Sequence, residues 1–333
     1  MKATTLKKAA LVAGSLSFLA GSAFSQTAVS GAGGYTTHNL AIGFNLIGIS
    51  LHNPVATSGA IDSEAGDTIT VASPEDLTAI LTDATATYLV EILDGAQAGA
   101  VAEISNLTAT SFDVAGGLGA GTAAYQIRPA STLASVFGST LADAGGPFPD
   151  AATDQVWVVN PAAAGGFSQY FRNSTGDWKD AAAAFGASQN DLGLFYPEGL
   201  FVQVADTAKD LVVTGMVKNT STVVAANEGF NLVGVTPPVG AELGNSNLAG
   251  TLSASAGPFP DATTDQVWLV NTAAPGGFSQ YFLNSGGAWK DAAAAFGADA
   301  DTTALTSGIF IQRAAGNGDT AGGLDVPDFY ANL

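Results

Sequence analysis

The chain has no cysteine and little histidine. Without cysteine, neither a disulfide nor a thiolate metal site is available, so stability has to come from apolar packing. The two histidines are His38 and His52. They leave little material for a histidine-based triad or metal site, and we expect both to be solvated loop or strand-edge residues.

Basic residues are also scarce. Ten Lys and Arg stand against 29 Asp and Glu, a formal net charge of −19. Nucleic acid and anionic lipid surfaces are bound through basic patches. The composition therefore predicts no nucleic-acid partner, and the acidity is typical of a soluble exported protein.

Residues 1–25 have the pattern of a secretory signal peptide, with lysines first, then an apolar stretch, then small residues. The apolar stretch covers about 11 to 15 residues, whereas a membrane-spanning helix needs about 20. We expect this leader to be cleaved, with no transmembrane anchor. The predicted location is extracellular, at the cell surface or periplasmic.

Glycine is abundant and charge is sparse along the rest of the chain. The sequence has 41 glycines, 47% hydrophobic residues and 12% charged residues. This composition favours many short strands with tight turns over charged helical surfaces. We predict an all-β fold with short helices.

An internal repeat organises the chain. Residues 147–186 return as 258–297 with 33 of 40 positions identical, which chance similarity does not produce. Upstream, GFNLIG at 43–48 matches GFNLVG at 229–234, and downstream 199–203 matches 308–312. The repeat predicts two tandem β-sandwich-like modules.

The first module carries an insertion of about 75 residues, because Gly43 to Gly146 spans 103 residues and Gly229 to Gly257 only 28. Its short β-favouring segments are separated by glycine-rich turn segments, which predicts a small β barrel or meander. The predicted order along the chain is: signal peptide 1–25, module 1 at 26–205 with the insert at about 56–130, connecting strands 206–224, module 2 at 225–313, and a loosely ordered Gly/Asp-rich tail 314–333.

The two GFN strands, the DQVW and SQYF runs that follow them, and the glycine-led closing strands resemble the GWNLI-type β-modules of bacterial secreted proteins. Together with YLVEILDGAQAGAVAEIS in the insert and IRPASTLASVFG after it, they resemble an uncharacterised exported β-rich family of Verrucomicrobia-type bacteria. The resemblance implies a β-rich surface or secreted protein and carries no catalytic residues.

The repeated aromatic residues are the candidate binding residues. Trp157 and Trp268 lie in an all-apolar run and are expected in the core. The next run alternates, which predicts a half-exposed strand. Four further repeated aromatics have two interpretations, packing in the core or a surface platform for sugar rings or a partner chain: Tyr170, Tyr281, Trp178 and Trp289.

The repeated aspartates have two interpretations. Pro-Asp and Thr-Asp steps are typical of turns, where the side chain accepts hydrogen bonds from nearby amides. The same carboxylates are candidate ligands for a Ca²⁺ cofactor: Asp150, Asp154, Asp261 and Asp265.

These observations predict a non-catalytic secreted or cell-surface protein with a structural or adhesive role, whose partner is extracellular polysaccharide or another copy of itself. A glycan-binding protein that uses the repeated aromatics is the alternative. A carboxylate-dependent hydrolase is the enzyme alternative, although the glutamates form no motif.

Overall fold

The fold is described from a computed structural model, which covers residues 31–72, 76–163, 165–271, 273–274, 277–294 and 297–332. The predicted signal peptide lies outside the described residues. Within them the protein is all-β, as predicted, with short α-helices at Leu77–Ile80 (α1) and Leu133–Phe137 (α2). No helix in this part of the chain is long and apolar enough to cross a bilayer.

The strands follow one another closely along the chain. They are β1 Gly33–Leu40, β2 Gly43–Ile47, β3 Leu51–His52, β4 Thr57–Ala65, β5 Thr68–Val71, β6 Tyr88–Ile92, β7 Val101–Glu103, β8 Ser111–Asp113, β9 Ala124–Pro129, β10 Ser131–Thr132, β11 Gln155–Val159, β12 Phe167–Arg172, β13 Trp178–Asp180, β14 Gly193–Leu194, β15 Leu200–Val204, β16 Lys209–Val217, β17 Thr222–Ala226, β18 Gly229–Gly234, β19 Gln266–Val270, β20 Phe278–Leu283, β21 Trp289–Asp291, β22 Gly308–Arg313 and β23 Thr320–Leu324.

Each repeat builds the same five-stranded antiparallel sheet. The order is β13-β12-β11-β15-β2 in the first module and β21-β20-β19-β22-β18 in the second. The registers also agree, since Trp157 lies opposite Phe201 and Gln169 and Trp268 lies opposite Phe310 and Gln280. The alanine run near the end of each repeated segment (147–186 and 258–297) forms a short 3-10 helix, at Ala181–Ala183 and Ala292–Ala294.

A second, smaller layer covers one face of each sheet. In module 1, β1 pairs with β16, and β3 extends that sheet. In module 2, β17 pairs with β23. The segment 206–224, expected to connect the modules, therefore supplies β16 to module 1 and β17 to module 2. The tail 314–333 is not loose where it is described, because β23 completes the second module.

Each module has its own apolar core between the two layers. Leu211 and Val213 of β16 pack with Val156 and Val202 of the first sheet. In module 2, Val224 and Leu324 of the small layer pack with the β19 and β22 residues of the large sheet. The face of each large sheet turned toward the small layer is called the inner face below, and the opposite one the outer face.

The insert is a single antiparallel sheet with the order β7-β6-β9-β4-β5-β8. Its edge strands meet in one bridge, between Ser105 and Asp113, so the sheet curls back on itself as a half-barrel. A separate core fills it, which includes Ile69, Phe112 and Tyr125. Sequence reasoning identified β5, β6, β7 and β9 and missed β4 and β8.

The two modules contact each other through equivalent residues. A β-carbon at Gly308 would lie 2.7 Å from Leu46 Cγ, and one at Gly199 would lie 3.1 Å from Leu232 Cγ. Gly308 is the repeat equivalent of Gly199, and Leu46 that of Leu232. Such reciprocal contacts are the mark of a two-fold, isologous interface. The modules are therefore related by a local two-fold axis.

Candidate functional site

The outer face of each large sheet carries four aromatic rings. Side chains alternate along a strand, and the inner positions of β15, such as Val202, are buried in the core, so Phe201 points outward. Cross-strand partners share a face. The same argument places Trp157 and Phe167 on the outer face, and Phe44 with them because it lies opposite Gln203.

These four rings contact one another in module 1. Phe44 meets Trp157 at 5.8 Å and Phe201 at 6.0 Å between ring centroids. Phe167 meets Phe201 at 5.7 Å. The spacings are those of favourable edge-to-face and tilted ring pairs.

The equivalent four aromatic residues of module 2, its quartet, contact one another in a closed cycle. Phe230 meets Trp268 at 5.2 Å and Phe310 at 6.1 Å. Phe278 meets Trp268 at 6.1 Å and Phe310 at 5.8 Å. The repeat is thus preserved in side-chain packing as well as in backbone topology.

The two quartets touch across the local two-fold axis. Phe201 and Phe310, which are repeat equivalents, have ring centroids 5.8 Å apart. Phe44 and Phe230 are each 59% exposed, and the other six rings are half-buried. We call the eight residues the aromatic strip: Phe44, Trp157, Phe167, Phe201, Phe230, Trp268, Phe278 and Phe310.

Glutamines border the aromatic strip on the same face. Gln155 lies opposite Gln203, and Gln266 lies opposite Gln312, while Gln169 and Gln280 lie opposite the two tryptophans. Four buried atoms on this face have no hydrogen-bond partner within the described residues: Trp157 Nε1, Trp268 Nε1, Gln266 Oε1 and Gln312 Oε1. Gln169 Nε2 donates to Gln155 Oε1. An amide offers both donors and an acceptor. The face combines apolar rings with uncharged hydrogen-bonding groups on a chain of net charge −19.

The predicted platform residues occupy different places. Trp178 and Trp289 are 1% and 2% exposed and belong to the module cores. Tyr170 is 8% exposed, and Tyr281 is half-buried against the second core. Core packing therefore describes Trp178, Trp289 and Tyr170, and the platform interpretation is wrong for them, because these rings lie on the inner side of their sheets.

The expected core position of Trp157 and Trp268 is wrong for the same reason. Val156 and Val158 contribute to the first core, and Trp157 between them faces outward. An all-apolar run is typical of a strand buried on both faces. Here it marks a strand with one face in a core and the other in an aromatic surface.

The repeated aspartates hold turns together. Asp150 accepts hydrogen bonds from Gly145 N, Ala152 N and Thr153 Oγ1, each at 2.9 Å. These bonds hold the pKa of the Asp150 carboxyl below its usual range. Asp261 accepts the matching bonds in module 2 from Ala256 N, Thr263 N and Thr264 Oγ1. It accepts one more from the Thr263 hydroxyl, which is the main cause of its lowered pKa.

The second aspartate of each repeat is buried and accepts hydrogen bonds from the residues at the end of the closing strand. Asp154 accepts from Ala142 N at 2.7 Å and Ala205 N at 2.8 Å. Asp265 accepts from Ala314 N and from Arg313 Nη1, both at 2.8 Å. Within the described residues, no group of three or more His, Asp and Glu side chains is placed to hold a metal ion.

A cavity of about 580 Å³ lies between the insert and the inner face of module 1. Glu103 of β7 and Glu198, before β15, both line it together with Tyr170. Burial, reinforced by the Glu103 charge, raises the pKa of Glu198 to about 7. Sequence reasoning missed this pair, because 95 residues separate its members and neither lies in a motif.

A buried ionic network joins the insert to module 1. Glu91 of β6 accepts a hydrogen bond from the Tyr196 hydroxyl, and its carboxylate lies 2.9 Å from Arg128 Nε and 3.9 Å from Lys218 Nζ. The His52 ring packs on Tyr196 at 4.4 Å. His52 is 3% exposed, so the expectation of a solvated histidine is wrong there.

Burial shifts the members of this network in different directions. It lowers the pKa of Lys218 to about 8, although Glu91 opposes the shift. Burial alone would raise the pKa of Glu91, but the Lys218 and Arg128 charges hold it below its usual value. Because each member is buried and engaged, we interpret the network as structural.

The fold and its outer face define an all-β protein of two modules that share one aromatic surface across a local two-fold axis. Comparison with protein-family models, with curated proteins and with solved structures gave no match.

Proposed function

We propose that this protein is a non-catalytic adhesive protein, exported or displayed at the cell surface, that attaches to extracellular polysaccharide through the aromatic strip. The observation that carries the proposal is the continuity of eight rings across both modules. The leader-like residues 1–25 and the resemblance to exported GWNLI-type modules support the location.

Charge and chemistry favour a neutral polymer as the partner. The strip and its glutamines are uncharged, whereas the chain as a whole carries a net charge of −19. Two copies of such an acidic protein repel each other at low salt, which disfavours self-assembly. Aromatic rings pack on the apolar faces of sugar rings, and amides bond their hydroxyls.

The test is adsorption to insoluble neutral polysaccharides. Replacing both exposed rings, Phe44→Ser with Phe230→Ser, should lower the adsorption affinity at least about tenfold, since each ring pair contributes on the order of 1 kcal/mol. Tyr35→Ser is the matched control, because Tyr35 is 74% exposed on β1, outside the strip.

Thermal unfolding followed by circular dichroism shows whether the variants remain folded. A folded double variant that adsorbs as well as the parent would refute the proposed use of the strip. Loss of self-association instead of polysaccharide adsorption would favour the self-assembly alternative.

The carboxylate-dependent hydrolase is the second candidate, and the cavity carries it. Near neutral pH, Glu198 is partly protonated beside Glu103, and one acid next to one carboxylate is what glycoside hydrolysis uses. Soluble sugar released from the adsorbed polymer by the parent, and not by Glu198→Gln, would favour this candidate.

A further inference from the structure

The local two-fold axis restricts how a polymer can lie on the aromatic strip. The contacts from Trp157 through Phe44, Phe201, Phe310 and Phe230 to Trp268 each measure between 5.2 and 6.1 Å. No gap therefore separates the quartets. One polymer chain placed on the first quartet continues onto the second.

A chain that crosses a two-fold axis meets the second quartet in the reverse direction. Contacts that depend on chain direction can be made in one module only. Contacts between ring faces do not depend on direction, and a glutamine amide both donates and accepts, so it pairs with a hydroxyl in either orientation. The strip supplies aromatic rings for the first kind of contact, and Gln169 and Gln280 beside the two tryptophans supply amides for the second.

We infer that the ligand, given the proposed attachment to polysaccharide, is one chain of a neutral, flat, β-1,4-linked polymer that spans both quartets. A flat ribbon presents the faces of successive sugar rings along a straight line. A helical α-linked polymer curls away from a sheet surface and reaches one quartet. The uncharged strip on a chain of net charge −19 suits a neutral sugar and disfavours an anionic one.

Bridging two quartets makes the second contact intramolecular. The effective concentration for that contact raises the affinity above that of either quartet alone. A protein with only one intact quartet should therefore bind the polymer with much lower affinity than the parent.

The experiment is isothermal titration of the full chain with soluble oligosaccharides. The probes are β-1,4-linked hexamers of glucose, mannose and N-acetylglucosamine, their dimers, and the α-1,4-linked glucose hexamer. We expect one hexamer of at least one β-linked series per protein, with at least tenfold weaker binding of its dimer and of the α-linked hexamer. Phe44→Ser alone and Phe230→Ser alone should each weaken binding of the hexamer about fivefold, because each removes one exposed ring from the same bound chain, while Tyr35→Ser should not.

Other results separate this inference from the proposed function. Two hexamers per protein, with each single variant losing one site at unchanged affinity, would overturn the bridging and leave polysaccharide attachment standing. Equal binding of the α-linked hexamer would overturn the flat-ribbon class alone. No binding to any soluble or insoluble polysaccharide would overturn both. Phe44→Leu and Phe230→Leu, which keep an apolar side chain, guard against a folding defect in the serine variants.

Discussion

At the residue scale, the cavity glutamate Glu198 gives a pH signature. Its pKa is about 7 in the folded protein against an ordinary value of 4.5, with burial as the main cause and the Glu103 charge as the second. A folded pKa above the unfolded one stabilises the protein below pH 4.5, and this contribution is lost as the pH rises toward 7.

We therefore predict that Glu198→Gln flattens the fall in the free energy of unfolding between pH 4.5 and 7. Urea titrations at several pH values in that window measure it. Asp83→Asn is the control, because the Asp83 pKa is shifted in the opposite direction, downward, by the Thr85 hydroxyl. An unchanged pH slope in Glu198→Gln would show that Glu198 is solvated like an ordinary glutamate.

The same scale shows why the sequence does not predict which of the repeated aromatic residues are exposed. Period-two alternation separates Trp157 from Val156 and Phe167 from Tyr170, but it does not say which set faces the core. The second layer, β1 with β16, decides that, and its strands are distant in sequence. For Asp150 and Asp261, the turn interpretation agrees with the structure, because the hydrogen bonds of a turn join residues that are close in sequence.

At the element scale, the insert has its own core and a second attachment through the buried ionic network. β6 and β9 supply Glu91 and Arg128, while Lys218 follows β16. Lys218 Nζ also donates to Ser221 O at 2.6 Å. The insert therefore has its own core and is also attached to module 1 through these buried ion pairs.

Glu91→Gln tests this attachment. Removing one partner leaves two buried cations without their carboxylate, and such losses cost about 3–5 kcal/mol. We expect a fall of that size in the free energy of unfolding, measured by denaturant titration at neutral pH. Asp62→Asn, at an exposed position of β4 in the same insert, is the matched control and should change it little.

The sign of the pH effect follows from the lowered pKa of Glu91. A depressed folded pKa contributes stability above the ordinary value of 4.5, and that stability is lost as the pH falls through the folded value. The difference between parent and Glu91→Gln should therefore shrink in acid. A difference that stays constant with pH would contradict the ionic account.

At the scale of the whole molecule, the interface between the modules depends on glycines. A β-carbon at Gly308 would lie 3.0 Å from Ile47 O, and one at Gly199 would lie 3.1 Å from Val233 O. Real β-carbons rarely approach other atoms so closely, and overpacking costs about 1–3 kcal/mol.

Gly308→Ala and Gly199→Ala should therefore each lower the free energy of unfolding by about 1–3 kcal/mol, and by similar amounts because the interface is reciprocal. Gly34→Ala is the control, since nothing lies within 4 Å of its β-carbon position. Denaturant titration measures all three. If neither interface variant changed the free energy of unfolding, the close contact between the modules would not contribute to stability.

The sequence by itself determined the features that depend on local order and on identity between segments. These are the all-β class, the two copies of one module, the separate insert and, as one of two interpretations, the turn role of Asp150 and Asp261. They follow because alternation, turn residues and repetition act over a few positions or by direct comparison.

Only the tertiary structure decided which faces are buried and which distant residues meet. It paired the tail strand β23 with β17, placed Glu103 and Glu198 on one cavity, and joined Phe201 to Phe310 across the two-fold axis. The alternation of side chains divides a strand into two faces but does not say which face is buried. Burial of one face depends on a partner layer that the chain supplies elsewhere.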